Sequence, residues 1–328
     1  MFKEARKRFE KLFEGKMEAD EARNFLVELY EKGESAEEIA AATEVMREHS
    51  IKLDIDDELK DKLIDVVGTG GDKSNSFNIS STVSLLLPSL GCAVAKHGNR
   101  AITSNSGSAD MLEALGINLK LDIKEQTKML KECGFTFLFA INHHPAMKYI
   151  MPIRKSLSHR TIFNILGPLT NPAGARKYLI GVFSDEFLNR IVTALSMLDT
   201  KSAIAVSSKD GLDEISICDI TYATLLKERR TNDFIIDPQQ YGFKLAPKDA
   251  IKGGNAKENA AITRSIIEGK EKGAKRDIVL LNAGVALYVE SKARDIKEGI
   301  EMAKEAIDSG KAKKKLDEII EVSQKIGG

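Results

Sequence analysis

Three glycines within four residues, in Gly68-Thr69-Gly70-Gly71-Asp72, mark the first place where this chain could do chemistry. An apolar run, Leu63-Ile64 then Val66-Val67, leads into them, and Asn78-Ile79-Ser80-Ser81-Thr82 followed by the apolar stretch 83–87 leads away. That order predicts strand, glycine-rich turn and helix N-terminus. Glycine suits such a turn because it accepts φ > 0 and exposes bare backbone to a ligand. Free N–H groups at the start of the next helix favour an anion, phosphate above all. The turn matches neither the P-loop nor the dinucleotide fingerprint, and by itself such a turn is more often plain connection. Some two dozen residues later, however, a second buried run ends in Lys96-His97-Gly98-Asn99-Arg100. Two strand ends then present a phosphate-type loop beside a basic loop, which suits a phosphorylated substrate.

Gly211-Leu212-Asp213-Glu214 supplies adjacent carboxylates in a loop. Magnesium prefers one or two carboxylates with waters and substrate phosphates, so the pair is a candidate magnesium site, although one Asp-Glu pair is commonly surface charge. His97, His143, His144 and His159 have no zinc-ligand spacing; His143-His144-Pro145 reads instead as a pocket lining for a planar ligand. Arg154 reads as a carboxylate fork or as a structural ion pair.

The elements that must position these groups follow from pattern. Residues 1–62 read as helical: Ala22, Phe25, Leu26, Leu29 and Tyr30 form one stripe, Gly33 ends that helix, and Ser35 with Glu38 makes a capping box for the next. So few helices bury little alone and must pack on the rest of the chain or on another subunit. From Leu63 onward, short strands alternate with helices, which predicts an α/β domain with a mostly parallel sheet. Strands are expected at 63–67, 92–95, 135–141 (a third strand end at His143-His144-Pro145), 178–182, 202–206 and 278–281, the last of which could equally start a helix. Helices are expected near 80–90, closed or kinked by Pro88, and near 108–115, 122–133 and 186–198. The segment 145–172 reads as a helix and crossover between the helical unit and the sheet, and the part after Lys257 as three amphipathic helices. The run 311–315 reads as a solvated face. The expected domains are therefore 1–62, joined by part of 150–175, and 63–328.

The chain has 328 residues, with Lys+Arg and Asp+Glu both 49. Zero net charge argues against broad nucleic-acid binding. Three separated cysteines argue against a disulfide framework and fit a reducing compartment. No apolar run approaches a membrane span, and Met1-Phe2-Lys3-Glu4 opens a charged helix, so a cytoplasmic protein without membrane partners is expected.

Taken together, GTGGD, Phe77-Asn78-Ile79-Ser80, KHGNR with Ser106-Gly107-Ser108-Ala109-Asp110 and Leu112 to Gly116, His144 to Lys148, the Arg160 to Pro172 stretch, and GLDE closely resemble the anthranilate phosphoribosyltransferase family. Gly253-Gly254 with Glu258-Asn259-Ala260, and Leu280 to Ala283, extend the likeness over nearly the whole chain. KHGNR with GLDE is the specific part; GTGGD is shared with pyrimidine nucleoside phosphorylases. The resemblance implies phosphoribosyl pyrophosphate binding by Gly68, Gly71, Asp72, Ser76, Asn78, Ile79, Ser80, Ser81, Lys96, His97, Gly98, Asn99, Arg100 and Ser108. It implies anthranilate contacts from Gly68, Asn99 and Arg154, with His97, His144 and Pro168 lining the path. It implies Mg2+ at Ser80, Asp213 and Glu214, and a homodimer joined through the helical unit. No catalytic base is assigned, because a positioned aromatic amine is already nucleophilic. The rivals are a nucleoside phosphorylase-like enzyme and a non-enzymatic nucleic-acid-binding relative. Lys73 stands where the family usually has Gly, Ser76 and Ser81 where Thr is common, Ser158 for Gly, and Asn105 for an often basic residue. These departures bear on affinity and remove no residue with a chemical role.

Overall fold

The computed structural model describes residues 1–72, 74–101 and 106–328; Lys73 and Asn105, two of the departures above, lie outside them. Among the described residues, seven strands form one sheet: β1 Leu63–Gly68, β2 Ala93–Gly98, β3 Phe135–Phe139, β4 Lys177–Gly181, β5 Ser202–Ser208, β6 Thr221–Lys227 and β7 Arg230–Ile236. Their order is β3-β2-β1-β4-β5-β6-β7. Pairings from β3 to β5 are parallel, and β6 and β7 add an antiparallel edge. Strand order reverses between β1 and β4, where Gly68 pairs with Gly181. Crevices at such switch points, outside the carboxyl ends of strands, are where open α/β sheets bind ligands.

Each sheet face buries its own core. Ile64, Val66 and Val94 face the helices Ile79–Leu86, Ala256–Ile267 and Ala274–Glu290. Leu63, Val67 and Ala95 face the N-terminal helices, the crossover and the helix Leu188–Ser196. The N-terminal helices pack on one another, with the Phe9 and Phe25 rings 5.0 Å apart, and share one core with the crossover and the helix Leu188–Ser196, so Phe9, Leu12, Phe25 and Leu29 are at most 2% exposed. Gly33 ends its helix at φ 75°, and the Ser35–Glu38 box closes with bonds of 3.3 and 3.0 Å. After Leu86 the chain tightens into the 3-10 turn Leu87–Leu90, which carries Pro88.

Four expectations are corrected. The run 278–281, left open between a strand and the start of a helix, lies inside the helix Ala274–Glu290, whose nearly complete burial erases helical periodicity and imitates a buried strand. Four helices, not three, follow residue 255. β3 stops at Phe139, and a helical turn, Ala140–His143, carries the chain to His144. β6 and β7 were not anticipated as strands: their hairpin turns at Glu228 and Arg229, both at positive φ without Asn or Gly, so the usual turn signal is missing.

Candidate active site

The side-chain alternation of β2 divides the site. Lys96 and His97 are neighbours, so they point to opposite faces of the sheet. Lys96 Nζ donates to the Val66 carbonyl at 2.7 Å and reaches Ser80 Oγ at 3.4 Å, on the side of the glycine-rich turn. His97 Nδ1 lies 3.1 Å from the Gly167 carbonyl and Nε2 lies 3.2 Å from His144 Nε2, on the side of the crossover. One strand end therefore addresses two reactants from two directions.

On the turn side, Gly70 and Gly71 both adopt positive φ, 70° and 84°. The GLDE loop folds into the β1/β4 gap. Gly70 N donates to Asp213 Oδ2 at 2.6 Å, and Ser80 N, in the first turn of Ile79–Leu86, donates to Glu214 Oε1 at 3.2 Å. Asp72 Oδ2 lies 3.5 Å from Asp213 N. Glycine is required for this approach. A Cβ on Gly68 would fall 2.6 Å from Asp213 Oδ2, and one on Gly181 would overlap the Asp213 carbonyl. Burial, then the Asp72 charge, holds the Asp213 carboxyl well above its ordinary range; burial also raises Glu214, to about 7, against the pull of Lys96. The buried Lys96 ammonium is balanced by the charges of Asp65 and Glu214.

Polar bonds brace the remaining turn residues. Ser76 Oγ accepts from Ser74 Oγ at 3.1 Å, and Asn78 links Ser106 to Asn259. Ser81 is buried beside Ile79. Asn99 Oδ1 accepts from Arg100 N at 2.9 Å, while its carbonyl accepts from Ser108 Oγ at 3.2 Å. Gly98 is again enforced by space, since a Cβ there would lie 2.8 Å from Phe137 Cε2. The Arg100 guanidinium is engaged by Asp110 and Glu113 at 2.9 and 2.7 Å, so its side chain is held by the next helix and not by the pocket.

On the crossover side, Arg154 ends the helix Met147–Lys155 half-buried. Its guanidinium lies 5.6 Å from the Phe163 ring centroid and 4.0 Å from Met151 Sδ. Among the described residues no carboxylate pairs with it, which removes the structural ion-pair reading. Pro168 sits in the 3-10 turn Gly167–Leu169, beside the carbonyl that fixes His97. That carbonyl requires a proton on His97 Nδ1, so in the neutral ring Nε2 is the acceptor facing His144. His143 and His159 go elsewhere: His143 binds the Ile51 carbonyl and Gln126 Oε1, and His159 stacks on Tyr30.

Burial pushes His144 down to about 4 and His97 well below its ordinary value. A histidine with a depressed folded pKa contributes stability that is complete above its unfolded value, 6.5, and is lost as pH falls toward the folded value. For His144 stability is thus expected to fall by about 3 kcal/mol between roughly pH 6.5 and 4. Urea melts across that window should show His144→Gln declining less steeply than wild type; parallel declines would contradict the assignment.

Two groups with structural weight at the site were not singled out from the sequence. Asp65, fully buried in β1, accepts from Asn171 Nδ2 at 2.7 Å and from His97 N at 3.4 Å, and Asn171 Nδ2 also reaches the Ala95 carbonyl at 2.7 Å. This tie joins the crossover to β1 and β2 beneath the histidine pair. Its signal was available: an Asp inside an apolar strand needs partners. Gly181, which admits the Asp213 backbone, had no local signal.

A glycine turn and paired carboxylates at a sheet switch point, beside an acceptor pocket, define a class that transfers a group from a phosphorylated donor. Residues 60–313 match the model of the glycosyl transferase family a/b domain, and residues 2–50 match that of its helical bundle domain. The anthranilate phosphoribosyltransferase of Methanobrevibacter smithii is 46% identical over 319 residues, 97% of this chain and 94% of that protein. The crystal structure of anthranilate phosphoribosyltransferase from Thermus thermophilus superposes with TM-score 0.89 at 38% identity, covering 99% of this chain and 96% of that one. The Saccharomyces cerevisiae enzyme in complex with PRPP and Mg gives 0.83 at 30%, covering 94% and 86%. The chain belongs to the anthranilate phosphoribosyltransferase family.

Proposed function

We infer that this chain transfers the phosphoribosyl group of phosphoribosyl pyrophosphate to the amine of anthranilate, a magnesium-dependent step of tryptophan biosynthesis. The observation that carries the reading is the division at β2: Lys96 serves the turn with its carboxylates, and His97 serves the crossover, where Arg154 has no carboxylate partner among the described residues. Family membership supports the same reaction.

The donor set fits magnesium. Asp213 and Glu214 are two nearly buried carboxylates with Ser80 at hydrogen-bonding distance. Among the described residues no group of three or more potential ligands closes into an all-protein cage, so coordination is left for substrate oxygens and water. Magnesium, when bound, would neutralise charge on the departing pyrophosphate. The protein's own contribution is positioning. Gly68, Gly71, Asp72, Ser76, Asn78, Ile79, Ser80, Ser81, Lys96, Gly98, Asn99 and Ser108 hold the donor, and Lys96 and turn N–H groups stabilise developing negative charge. Arg154 orients the anthranilate carboxylate, Gly68 and Asn99 border it, and His97, His144 and Pro168 shape its path. The amine needs no dedicated base once held near C1 of the ribose.

Pyrophosphate release should be observed with anthranilate and not with uracil or without acceptor. Release with uracil and inorganic phosphate turnover would favour the nucleoside phosphorylase reading instead. The same reading places the enzyme in the cytoplasm; among the described residues no helix is long and apolar enough to cross a membrane. It divides the chain into 1–62, completed by part of 150–175, and 63–328. It also makes the protein a homodimer through the helical unit, where Met1 and Tyr30 remain exposed. Sedimentation at micromolar concentration should give twice the chain mass; a monomer would rule the dimer out.

A further inference from the structure

Arg160 is the group that the reading above leaves without a task. It lies on the crossover, exposed, and among the described residues no carboxylate lies within ion-pair distance of it. An exposed arginine without a partner is ordinary, but this one is held. Its guanidinium carbon lies 3.5 Å from the centroid of the Phe183 ring. Phe183 follows β4 and is itself fastened to the glycine-rich turn: its N–H donates to Thr69 Oγ1 at 3.2 Å, while Thr69 N donates to the Gly181 carbonyl at 2.9 Å. Phe187 packs edge-on against the same ring at 5.3 Å, which limits its rotation.

The stack places the guanidinium at the turn. Its Nη2 lies 3.9 Å from the point where a Cβ on Gly71 would stand, and Gly71, at φ 84°, has none. A planar cation with five donors therefore sits at the lip of a turn whose bare backbone suits an anion. Across the turn lie Asp72, Asp213 and Glu214, with Lys96 behind them. Phosphate oxygens entering from solvent would meet Arg160 on the near side and Lys96 on the far side. An arginine pre-oriented on an aromatic face loses less freedom on binding than a loose one, and its fork matches phosphate bidentately.

We propose that Arg160, held by Phe183, is a further substrate-contacting residue that closes over the pyrophosphate group of the phosphoribosyl donor at the glycine-rich turn. The inference rests on the reading that this turn holds the donor. It joins the crossover, which carries the acceptor contacts, to the donor loop, so that occupancy of the turn draws together the two sides of the cleft.

Inorganic pyrophosphate with MgCl2, titrated calorimetrically into the full-length protein, is the direct probe. Arg160→Ala should weaken its binding about tenfold, the low end for losing hydrogen bonds between charged groups. Arg160→Lys should recover part of the loss, and Phe183→Leu, which keeps the cation but frees it, should fall between wild type and Arg160→Ala. In steady state, Arg160→Ala should raise the KM for phosphoribosyl pyrophosphate by a similar factor and leave that for anthranilate within twofold. The side chain is exposed, so thermal melts should match wild type. Unchanged pyrophosphate affinity in Arg160→Ala, or a shift confined to the anthranilate KM, overturns the proposal. A wild type that binds pyrophosphate through Arg160 but transfers nothing to anthranilate overturns the assigned reaction and leaves this contact standing.

Discussion

Replacing Asp213 and Glu214 together with Ala is expected to reduce kcat by 10³-fold or more, leaving turnover near background. Removing one preorganised electrostatic group from an active site typically costs on the order of 10²–10³-fold, and here two go at once. The fold should survive. Both carboxyls are held above their ordinary range by burial, with Asp72 adding repulsion, so their ionised forms are not favourable contributors to stability at neutral pH. Circular dichroism should therefore be unchanged, and the magnesium dependence of any residual activity should disappear. Near-normal turnover in the double variant would remove the metal assignment altogether.

Arg154→Ala is expected to lower kcat/KM for anthranilate by roughly 10–150-fold, equivalent to about 1.5–3 kcal/mol for hydrogen bonds to a charged group. The guanidinium is half-buried and, among the described residues, has no carboxylate to neutralise it. Burial lowers its pKa, a sign that the free protein bears a desolvation cost which a substrate carboxylate would offset. Arg154→Lys should restore only part of the loss, since an ammonium cannot reproduce the planar fork. The KM for phosphoribosyl pyrophosphate should stay within about twofold. If that constant moves and the anthranilate constant does not, Arg154 belongs to the donor site.

These two variants report on opposite faces of the sheet, which is why their effects should separate. Asp213 and Glu214 lie with Lys96 and Ser80 on the helix-covered donor side, and Arg154 lies with the crossover on the other. The Asp65–Asn171 tie is a buried polar link between the crossover and strands β1 and β2. It gives a physical route by which damage on either side would reach the other.

Much of this arrangement was legible in the sequence because it depends on local chemistry. The glycines of 68–71 announce a turn that only residues tolerant of positive φ can make, and Gly70 and Gly71 adopt it. Ser35 and Glu38 sit three apart and close a capping box, since helix geometry brings those positions together whatever surrounds them. The alternation of strand and helix from Leu63 to Val206 likewise gave the parallel sheet. Where burial was complete the pattern was ambiguous: 278–281 read equally as a strand or the start of a helix, because a helix buried all round has no polar face to reveal its period. The hairpin at Glu228-Arg229 was hidden because its positive-φ residues are not the usual ones. Pairings distant along the chain lay beyond sequence alone. Arg100 could not be known to bind Asp110 and Glu113, nor His97 to face His144 while His143 turned to Ile51 and Gln126. Residue type and spacing determined what chemistry the chain could perform. Which carboxylate, ring or guanidinium was left free to perform it was decided only when the sheet and crossover packed, because packing alone pairs some charges and leaves others open.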